Sequence, residues 1–441
     1  MNIFFVSMGC AKNGVDSETL MGRLAFEGHV VVEAPEEARV GIINTCAFIQ
    51  DAVKENIDAI LDLELLKEQG VLERIVVVGC IVNRYEAELR RELDSVDLFA
   101  RAEDWDTVVN YLAGLEGRRP SLISSCGRVP LPGTSRWSRY LKVGEGCDTF
   151  CSYCSIPLIR GRLRSTPVER LVEEALGLCA QGARELCLVG QDLTVYGRDL
   201  YGAPAIERLL RELDAALPDG TWVRLLYLHP DRLTPAFVDF LMESGKILPY
   251  LDVPVQHIDD AILSRMNRVP AGEHIRRMFR YLREKNPLFA LRTTIMTGFP
   301  GETELQFRRV LDFLEDAEID RVGAFVYSPE EGTRAASFPD PVPRKVGEER
   351  YARLMELQSV LSRERNALFV GRELDVLVEE VDGESGEAWG RSYRDAPEVD
   401  GMVCVSGAGG AVPGTFVRAR ITDCEEYDLF GEAVGRGERD V

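Results

Sequence analysis

Short apolar runs alternate with helical patterns through two long parts of this chain, residues 1–115 and 139–328. In the first part the predicted strands are Asn2–Val6, Val40–Ile43, Ile75–Val78 and a weaker Asp97–Phe99. The helical patterns that follow them are Glu18–Glu27, Asp51–Gln69, Tyr85–Leu93 and Asp106–Leu115. Strands separated by helices pair in parallel, so we expect an N-terminal domain, residues 1–116, with an open and mostly parallel α/β sheet.

The second part continues the alternation after a linker, residues 117–138, that contains several turn-forming glycines and prolines. Its predicted strands are Arg139–Val143, Glu185–Val189, Val223–Leu228, Tyr250–Val255, Leu291–Met296 and Val322–Tyr327. Six strands are too few for an eight-stranded barrel, so we expect a partial (β/α)6 barrel. With a charged amphipathic helix predicted over 344–370, this core domain would span residues 139–365.

The pattern changes again beyond Gly371, where short strands are divided by glycine-rich turns. The predicted strands are Leu374–Val378, Ala388–Tyr393, Met402–Val405, Phe416–Ile421 and Leu429–Val434. Five short strands predict a small antiparallel β-barrel for residues 366–441. This segment has seventeen Asp and Glu, seven Arg and no Lys, so it should repel nucleic-acid phosphates and attract a basic protein.

Three cysteines of the first domain, Cys10, Cys46 and Cys80, each lie just past a predicted strand and before the next helix. Their separations, 36 and 34 residues, are about one strand–helix repeat. Neighbouring parallel strands end at one edge of a sheet, where ligands gather. A single such cysteine is more often a small buried side chain, but three at equivalent points predict a shared iron–sulfur cluster.

A second group, Cys147, Cys151 and Cys154, lies in a short glycine-flanked loop just after a predicted strand. Three thiolates can bind three irons of a 4Fe–4S cube and leave the fourth iron open to another ligand. Zinc is the alternative, although it needs a fourth Cys or His nearby and the next histidine is His229. Cys126 has no partner at a useful spacing and is predicted to be an ordinary thiol.

Polar residues directly follow several strands of the partial barrel: Gln191, Asp192, His229, Gln256, His257, Thr297 and Ser328. The carboxyl ends of barrel strands surround one mouth, so these side chains are candidates to line it together with the second cysteine loop. Each of them could equally be a loop residue with a local hydrogen-bond partner.

The composition is typical of a globular protein, with 45% apolar and 28% charged residues. No apolar run reaches the ~18 residues of a membrane helix, and Met1–Val6 lacks the features of a signal peptide. Eleven cysteines without an export signal indicate a reducing, cytoplasmic location. The net charge of −21 disfavours a general nucleic-acid binder.

The C-x3-C-x2-C loop, with Tyr153 before its last cysteine, resembles the signature of the radical S-adenosylmethionine (SAM) enzymes. With the three N-terminal cysteines and the small β-domain, nearly the whole chain resembles the methylthiotransferases of that group. This resemblance implies two 4Fe–4S clusters on the six cysteines, SAM bound at the second cluster, sulfur carried on the first, and a C-terminal TRAM domain. The predicted SAM contacts are Tyr153, Gln191, Asp192 and Thr297.

The family has two main branches, which modify an adenosine of tRNA or an aspartate of ribosomal protein S-twelve. The segments Gly9–Asn13, Asp252–Asp260 and Tyr327–Thr333 resemble the second branch, whereas Met266–Arg268 resembles the first. The resemblance thus implies methylthio transfer to the β-carbon of that aspartate, and an electron donor such as a flavodoxin or ferredoxin. The acidic barrel favours the same basic partner. A tRNA substrate is less favoured, and it stays open as an alternative together with a non-catalytic cluster carrier or ribosome-binding module.

Overall fold

The structure is a computed structural model that describes residues 1–121, 127–269 and 271–434. Cys126, predicted to be an ordinary thiol, lies outside the described residues. Within these residues the chain forms two compact units. The thiol unit contains residues 1–134, 145–163 and 330–333, and the barrel unit contains residues 135–144, 164–329 and 334–434. Both groups of three cysteines therefore belong to the thiol unit.

The thiol unit is built on a five-stranded sheet with the order β2-β1-β3-β4-β5, in which every pair is parallel. Its strands are β1 (Asn2–Ser7), β2 (Val30–Val32), β3 (Val40–Thr45), β4 (Arg74–Gly79) and β5 (Leu98–Arg101). Its helices are α1 (Ala11–Phe26), α2 (Gln50–Glu68), α3 (Cys80–Glu92), α4 (Trp105–Leu115) and α5 (Ile156–Arg160), with a 3₁₀ turn at Pro35–Glu37. The predicted open parallel sheet is confirmed.

Alternate side chains of the central strands pack on opposite faces of this sheet. In β4, Val76 and Val78 pack with apolar residues of α1 and α4, whereas Ile75 and Val77 pack with apolar residues of α2 and α3. All four β4 side chains are fully buried. A strand that is covered on both faces needs a continuous apolar run, which explains the Ile-Val-Val-Val sequence.

The structure differs from the sequence pattern at three elements of this unit. Strand β2 is not predicted, and α1 begins at Ala11 rather than Glu18. Helix α3 begins at Cys80 rather than Tyr85, and Tyr85 itself departs from helical geometry with φ −133° and ψ 27°. No side chain caps the first turn of α1 or α3, so the usual N-terminal signal is missing from the sequence.

The barrel unit contains six parallel strands in the order β6-β9-β10-β11-β12-β13. The strands of this region are β6 (Ser138–Lys142), β7 (Gly144–Glu145), β8 (Arg164–Ser165), β9 (Glu185–Val189), β10 (Trp222–Leu225), β11 (Ile247–Asp252), β12 (Ala290–Thr297) and β13 (Arg321–Val326). The helices are α6 (Val168–Ala180), α7 (Arg198–Tyr201), α8 (Ile206–Ala216), α9 (Pro235–Glu243), α10 (Asp260–Arg265), α11 (Gly272–Lys285), α12 (Glu304–Asp316) and α13 (Arg344–Ala367). Three 3₁₀ turns occur at Leu193–Val195, Pro230–Arg232 and Arg334–Ser337. The predicted partial barrel of six strands is confirmed.

The C-terminal strands form a closed five-stranded barrel, as predicted, with the order β14-β15-β16-β18-β17. They are β14 (Glu373–Val381), β15 (Ala388–Arg391), β16 (Val403–Ser406), β17 (Phe416–Cys424) and β18 (Leu429–Ala433). Neighbouring strands are antiparallel except for β16 and β18, which are parallel. One parallel pair is required because five strands, an odd number, cannot alternate in direction all the way around a closed barrel.

Buried ion pairs attach this closed barrel to the amino-terminal ends of the parallel strands. Glu185, the first residue of β9, accepts hydrogen bonds from Arg224 at 2.7 Å and from Arg391 of the closed barrel at 2.6 Å. Burial alone would raise the pKa of Glu185, but the charges of Arg391 and Arg224 lower it to about 2. Asp320, directly before β13, accepts from Arg394 of the closed barrel at 3.2 Å. The predicted mouth lies at the other, carboxyl ends of these strands.

Among the residues described, none of the helices combines the length and the apolar character that crossing a membrane requires.

Candidate active site

The three N-terminal cysteines follow three strands that are neighbours in the sheet. Cys10 follows β1 and precedes α1, Cys46 follows β3, and Cys80 follows β4 as the first residue of α3. Because β1, β3 and β4 are adjacent and parallel, the cysteines lie at one edge of the sheet. Cys46 and Cys80 are buried, whereas Cys10 is exposed. We call these residues the first triad.

The electrostatic environment of the first triad reflects this proximity. Burial, with smaller contributions from the neighbouring thiols Cys46 and Cys10, raises the pKa of the Cys80 thiol to about 12, although Arg160 opposes the shift. Burial likewise raises the pKa of Cys46, and Cys10 contributes in the same direction. Thiols that are protonated when free must lose their protons to bind a metal, so binding at this site releases protons.

Two glycines allow the loops of the first triad to approach each other. A Cβ atom at Gly9 would lie 2.5 Å from the Cβ of Cys46, and one at Gly79 would lie 2.6 Å from the carbonyl oxygen of Thr45. Both glycines also have positive φ, +95° and +110°, a conformation that other residues adopt at a cost. Three sulfurs on closely packed loops, two of them before or at helix N-termini, suit an anionic iron–sulfur cluster.

The second triad, Cys147, Cys151 and Cys154, lies in a compact loop of the same unit. Cys147 Sγ accepts a hydrogen bond from the Thr149 N–H at 3.4 Å, and the Cys154 N–H donates to the Cys151 carbonyl at 3.1 Å. Burial raises the pKa of Cys154 to about 12, with Cys151 and Cys147 adding to the effect and Lys12 opposing it. Lys12 follows Cys10 by two residues, so a charge beside the first triad acts on the second.

The backbone of this loop also depends on glycine. Gly146 has φ +72°, and a Cβ atom there would lie 2.0 Å from the Arg162 carbonyl oxygen. Phe150 adopts positive φ as well, at +50°. Tyr153, a predicted SAM contact, is half-buried in the same loop, and its contact with SAM stays a prediction.

The segment 155–160, which includes the short helix α5, contacts residues close to all three cysteines of the first triad. Ser155, which precedes α5, donates from its hydroxyl to the Phe48 carbonyl at 2.9 Å, two residues after Cys46. The Asn83 side chain, three residues after Cys80, donates to the Ile159 carbonyl at 2.7 Å. Arg160 donates to the side-chain oxygen of Asn13, three residues after Cys10, at 3.1 Å.

Arg160 also contacts a sulfur of the first triad, and neither motif nor spacing signals this role in the sequence. Its Nε donates to Cys80 Sγ at 3.1 Å. Its Nη1 donates to Asp16 Oδ2 at 2.8 Å and to Glu145 Oε2 at 3.0 Å. The guanidinium is buried, and the charges of Asp16, Cys80 and Glu145 raise its pKa despite burial.

The predicted SAM contacts of the barrel unit lie at the carboxyl ends of its strands. Gln191 and Asp192 follow β9, and Asp192 is paired with Arg232 and accepts from the Thr194 N–H at 2.9 Å. Thr297 ends β12, and its buried hydroxyl donates to the Gly347 carbonyl at 3.0 Å. The side chains of Asp192 and Thr297 thus have protein partners, and their contacts with SAM stay predictions.

Two other predicted mouth residues carry buried acceptor atoms. His229 Nδ1 bonds Asp231, so Nε2 is left as an acceptor, and it has no partner within the described residues. Gln256 has φ +67°, and its side-chain oxygen is also buried without a partner in the described part of the chain. Buried polar atoms are nearly always hydrogen-bonded, so these two acceptors suit a ligand that donates hydrogen bonds.

Comparison with known proteins identifies the same three parts of the chain. The model of the Uncharacterized protein family UPF0004 matches residues 2–100, that of the Radical SAM superfamily matches residues 141–314, and that of the TRAM domain matches residues 370–434. The fold is similar to TsrM, a radical SAM methyltransferase from Kitasatospora setae, with TM-score 0.53, 16% identity and 74% of each chain covered. OxsB, a cobalamin-dependent SAM radical enzyme, gives TM-score 0.52 at 12% identity, over 82% of this chain and 56% of that chain.

This fold with two thiol triads defines a radical SAM enzyme of the methylthiotransferase class. Ribosomal protein uS12 methylthiotransferase RimO from Geobacter sulfurreducens is 44% identical over 441 residues, 98% of each chain. RimO from Aquifex aeolicus is 41% identical over 433 residues, 98% of this chain and 97% of that protein. The chain belongs to the RimO family of methylthiotransferases.

Proposed function

We propose that this chain transfers a methylthio group to the β-carbon of an aspartate of ribosomal protein uS12. Cys147, Cys151 and Cys154 hold one 4Fe–4S cluster, where SAM binds, and the first triad holds a second. The observation that carries this proposal is the contact of the segment 155–160 with residues close to all three cysteines of the first triad. A group that generates a radical and a group that carries sulfur must act on the same carbon, so their protein ligands have to be held together.

When bound, the two clusters and SAM supply the radical, the sulfur and the methyl group. The residues of the thiol unit hold and orient these groups. The glycines at positions 9, 79 and 146 let the cysteine loops close around them, and burial of Cys46 and Cys80 keeps water from these two sulfur ligands. A β-carbon hydrogen of aspartate is not acidic enough for ordinary base catalysis, so a radical route suits this substrate.

The barrel unit contributes acceptors for SAM. We assign hydrogen-bond donors of SAM, such as its ribose hydroxyls, to the buried acceptors of His229 and Gln256, because buried acceptors are nearly always hydrogen-bonded. Both residues lie past neighbouring strands, β10 and β11. The predicted contacts Tyr153, Gln191, Asp192 and Thr297 remain part of the proposal.

The charge of the closed barrel indicates the kind of partner that it binds. A ribosomal protein is basic, and the closed barrel is strongly acidic, so the two attract each other. We also infer a cytoplasmic location and an electron donor such as a flavodoxin or ferredoxin.

Iron content and product formation test the two-cluster assignment together. Anaerobically reconstituted enzyme should hold about eight irons as two 4Fe–4S clusters, and replacing either triad by alanine should leave about four. The variant without Cys10, Cys46 and Cys80 should still cleave SAM to 5′-deoxyadenosine but should form no methylthiolated uS12. Control variants Cys179→Ala and Cys424→Ala, outside both triads, should retain about eight irons and full transfer.

Different outcomes would contradict different parts of the proposal. Zinc in place of iron would remove the cluster assignment. Methylthiolated product from the variant without the first triad would show that the sulfur is carried elsewhere. Absence of SAM cleavage in the wild-type enzyme would favour a non-catalytic cluster carrier or ribosome-binding module.

A further inference from the structure

We propose that Arg160 is a positioning residue for the cluster of the first triad, whose N–H···S hydrogen bond to Cys80 raises that cluster's reduction potential and helps to retain its iron. This inference rests on the proposed function, because it requires a cluster on Cys10, Cys46 and Cys80. It goes beyond that function by giving a structural role to the segment between the two triads.

The guanidinium has a separate partner for each of its three nitrogens. Nε donates to Cys80 Sγ at 3.1 Å, Nη2 donates to Asn13 at 3.1 Å, and Nη1 donates to Asp16 at 2.8 Å and to Glu145 at 3.0 Å. The side chain is 4% exposed. A planar group fixed at three corners cannot turn away from the sulfur, so the hydrogen bond to Cys80 is held in place.

The partners of Arg160 are themselves fixed by the loops of the first triad. The Asn13 side chain donates to the Met8 carbonyl at 2.5 Å and to the Thr45 carbonyl at 3.3 Å. Met8 precedes Cys10 and Thr45 precedes Cys46, so Arg160 is tied through Asn13 to two loops and directly to the third. A change at Arg160 therefore alters the cluster's surroundings at all three ligands.

The positive charge of Arg160 is compensated by neighbouring carboxylates. Carboxylate oxygens of Asp16, Glu103 and Glu145 lie within 4.8 Å of one another, and Arg160 donates to two of these carboxylates. Because the carboxylates compensate the buried guanidinium, its effect on the cluster comes mainly from the directed N–H donor at sulfur. Hydrogen bonds to the sulfur ligands are among the features that set the potentials of iron–sulfur clusters.

A lysine cannot replace this arrangement. Its ammonium group is a compact charge on a flexible stem, whereas arginine presents donors in a rigid fork. Arg160→Lys keeps the charge near Asp16 and Glu145 but should lose the bond to Cys80. The variant thus separates the N–H···S contact from the buried charge, and it is less disruptive than a neutral substitution, which would leave two buried carboxylates uncompensated.

Arg84→Lys is a matched control. Arg84 is another buried arginine of the thiol unit, and it donates to the Ala47 carbonyl at 2.9 Å and to Glu330 at 3.2 Å. Both substitutions exchange a buried, multiply bonded arginine beside the first triad for lysine. Arg84 makes no hydrogen bond to a cysteine sulfur among the residues that the structure describes, so its replacement should leave the cluster potential unchanged.

The experiment measures the first-triad cluster by itself. Full-length protein with Cys147, Cys151 and Cys154 replaced by alanine is reconstituted anaerobically, with Arg160, Arg160→Lys or Arg84→Lys. We expect a more negative midpoint potential, followed by electron paramagnetic resonance, for Arg160→Lys alone. Loss of an outer-shell partner typically lowers metal affinity about 10- to 100-fold, so an iron chelator should also remove iron from this variant more readily.

The outcomes distinguish the inference from the function on which it rests. If the variant without the second triad binds no iron, the cluster assignment fails. If it binds about four irons but Arg160→Lys leaves the potential unchanged, the role of Arg160 is wrong. An equal shift in Arg160→Lys and Arg84→Lys would also overturn the inference, because the effect would then come from general loosening of the loops.

Discussion

Gly9 determines how closely two loops of the first triad approach each other. Its φ is +95°, and an added Cβ atom would lie 2.5 Å from the Cβ and 3.1 Å from the sulfur of Cys46. Real side chains do not approach so closely, and the neighbour here is a proposed cluster ligand rather than the end of a flexible chain. The proposed cluster site therefore requires a residue without a side chain at position 9.

We predict that Gly9→Ala loses the first-triad cluster, about four of eight irons, and with it methylthio transfer, while SAM cleavage continues. Gly28→Ala is the control, since Gly28 also has positive φ, +82°, but no atom within 4 Å of the added Cβ. Backbone strain alone would affect both variants, whereas displacement of Cys46 affects only the first. Iron analysis measures the cluster content, and mass spectrometry of the product measures methylthio transfer. Equal iron content in the two variants would contradict this account.

At the residue scale, the sequence predicts the proposed cluster ligands better than it predicts the residues that position them. The six cysteines are evident because their spacing repeats with the strands and within one loop. Arg160 is not evident, because its partners Asn13, Asp16 and Cys80 lie 80 to 147 residues away. Such contacts leave no periodicity in the sequence, and they depend on how the loop of the second triad packs on the sheet.

At the scale of elements, a distant segment of the chain holds the N-terminus of α2. Glu330, in the segment 330–333 of the thiol unit, accepts from the Gln50 N–H at 3.1 Å and from Arg84 of α3 at 3.2 Å. An acidic side chain is favourable at a helix N-terminus. Because Arg84 also donates to the Ala47 carbonyl at 2.9 Å, Glu330 links the loop that follows Cys46 to helix α3, which begins at Cys80.

We predict that Glu330→Ala lowers the stability of the thiol unit by about 3–5 kcal/mol, the usual effect of leaving a buried charge without its partner. Its iron content after reconstitution should fall as well. Glu331→Ala serves as the control, because Glu331 is exposed and contributes its backbone carbonyl to Arg84. Thermal unfolding followed by circular dichroism gives the comparison; equal melting temperatures for the two variants would contradict the proposed role of Glu330.

The sequence indicates most elements correctly because the apolar runs of a buried parallel strand are hard to mistake. Glu185–Val189 has the predicted bounds, and the other barrel strands are displaced by at most a few residues. Edge strand β2 is missed because three residues carry too little pattern. The early starts of α1 and α3 are missed because no side chain caps either first turn, and the predicted start of α3 falls at its kink, Tyr85.

On the scale of the whole molecule, the surface of the closed barrel is as acidic as its composition suggests. Two of its seven arginines, Arg391 and Arg394, have buried ion pairs with acids of the partial barrel. Two of its acids, Asp395 and Asp400, have buried ion pairs with arginines of the partial barrel, so the two sets cancel. Many of its acids remain exposed, including Glu380 and Glu426. Within the barrel unit this surface lies at the amino ends of the parallel strands, away from the predicted mouth, so we expect it to act on association with a partner rather than on the chemistry.

Reversing the charge of exposed acids on the closed barrel tests which partner this surface attracts. Glu379 is kept in the variants described next, because its side chain accepts a hydrogen bond from Arg391 at 2.9 Å. Exposed acids of the closed barrel are replaced by lysine, and the control variant carries the same charge change on exposed helices of the partial barrel. The first set is Glu380, Glu384, Glu425 and Glu426. The control set is Glu207, Glu212, Glu284 and Glu315.

The first set should weaken modification of uS12 at low ionic strength, because a basic partner would meet lysines instead of acids. The difference from wild type should shrink as the Debye length falls from about 30 Å at 0.01 M salt to about 8 Å at 0.15 M. SAM cleavage without substrate should be unchanged, since both triads lie outside the closed barrel. The opposite sign holds for tRNA, because added lysines create phosphate contacts. Improved tRNA modification would therefore favour a tRNA substrate, and an equal loss in the control set would show that net charge, rather than the closed barrel, attracts the partner.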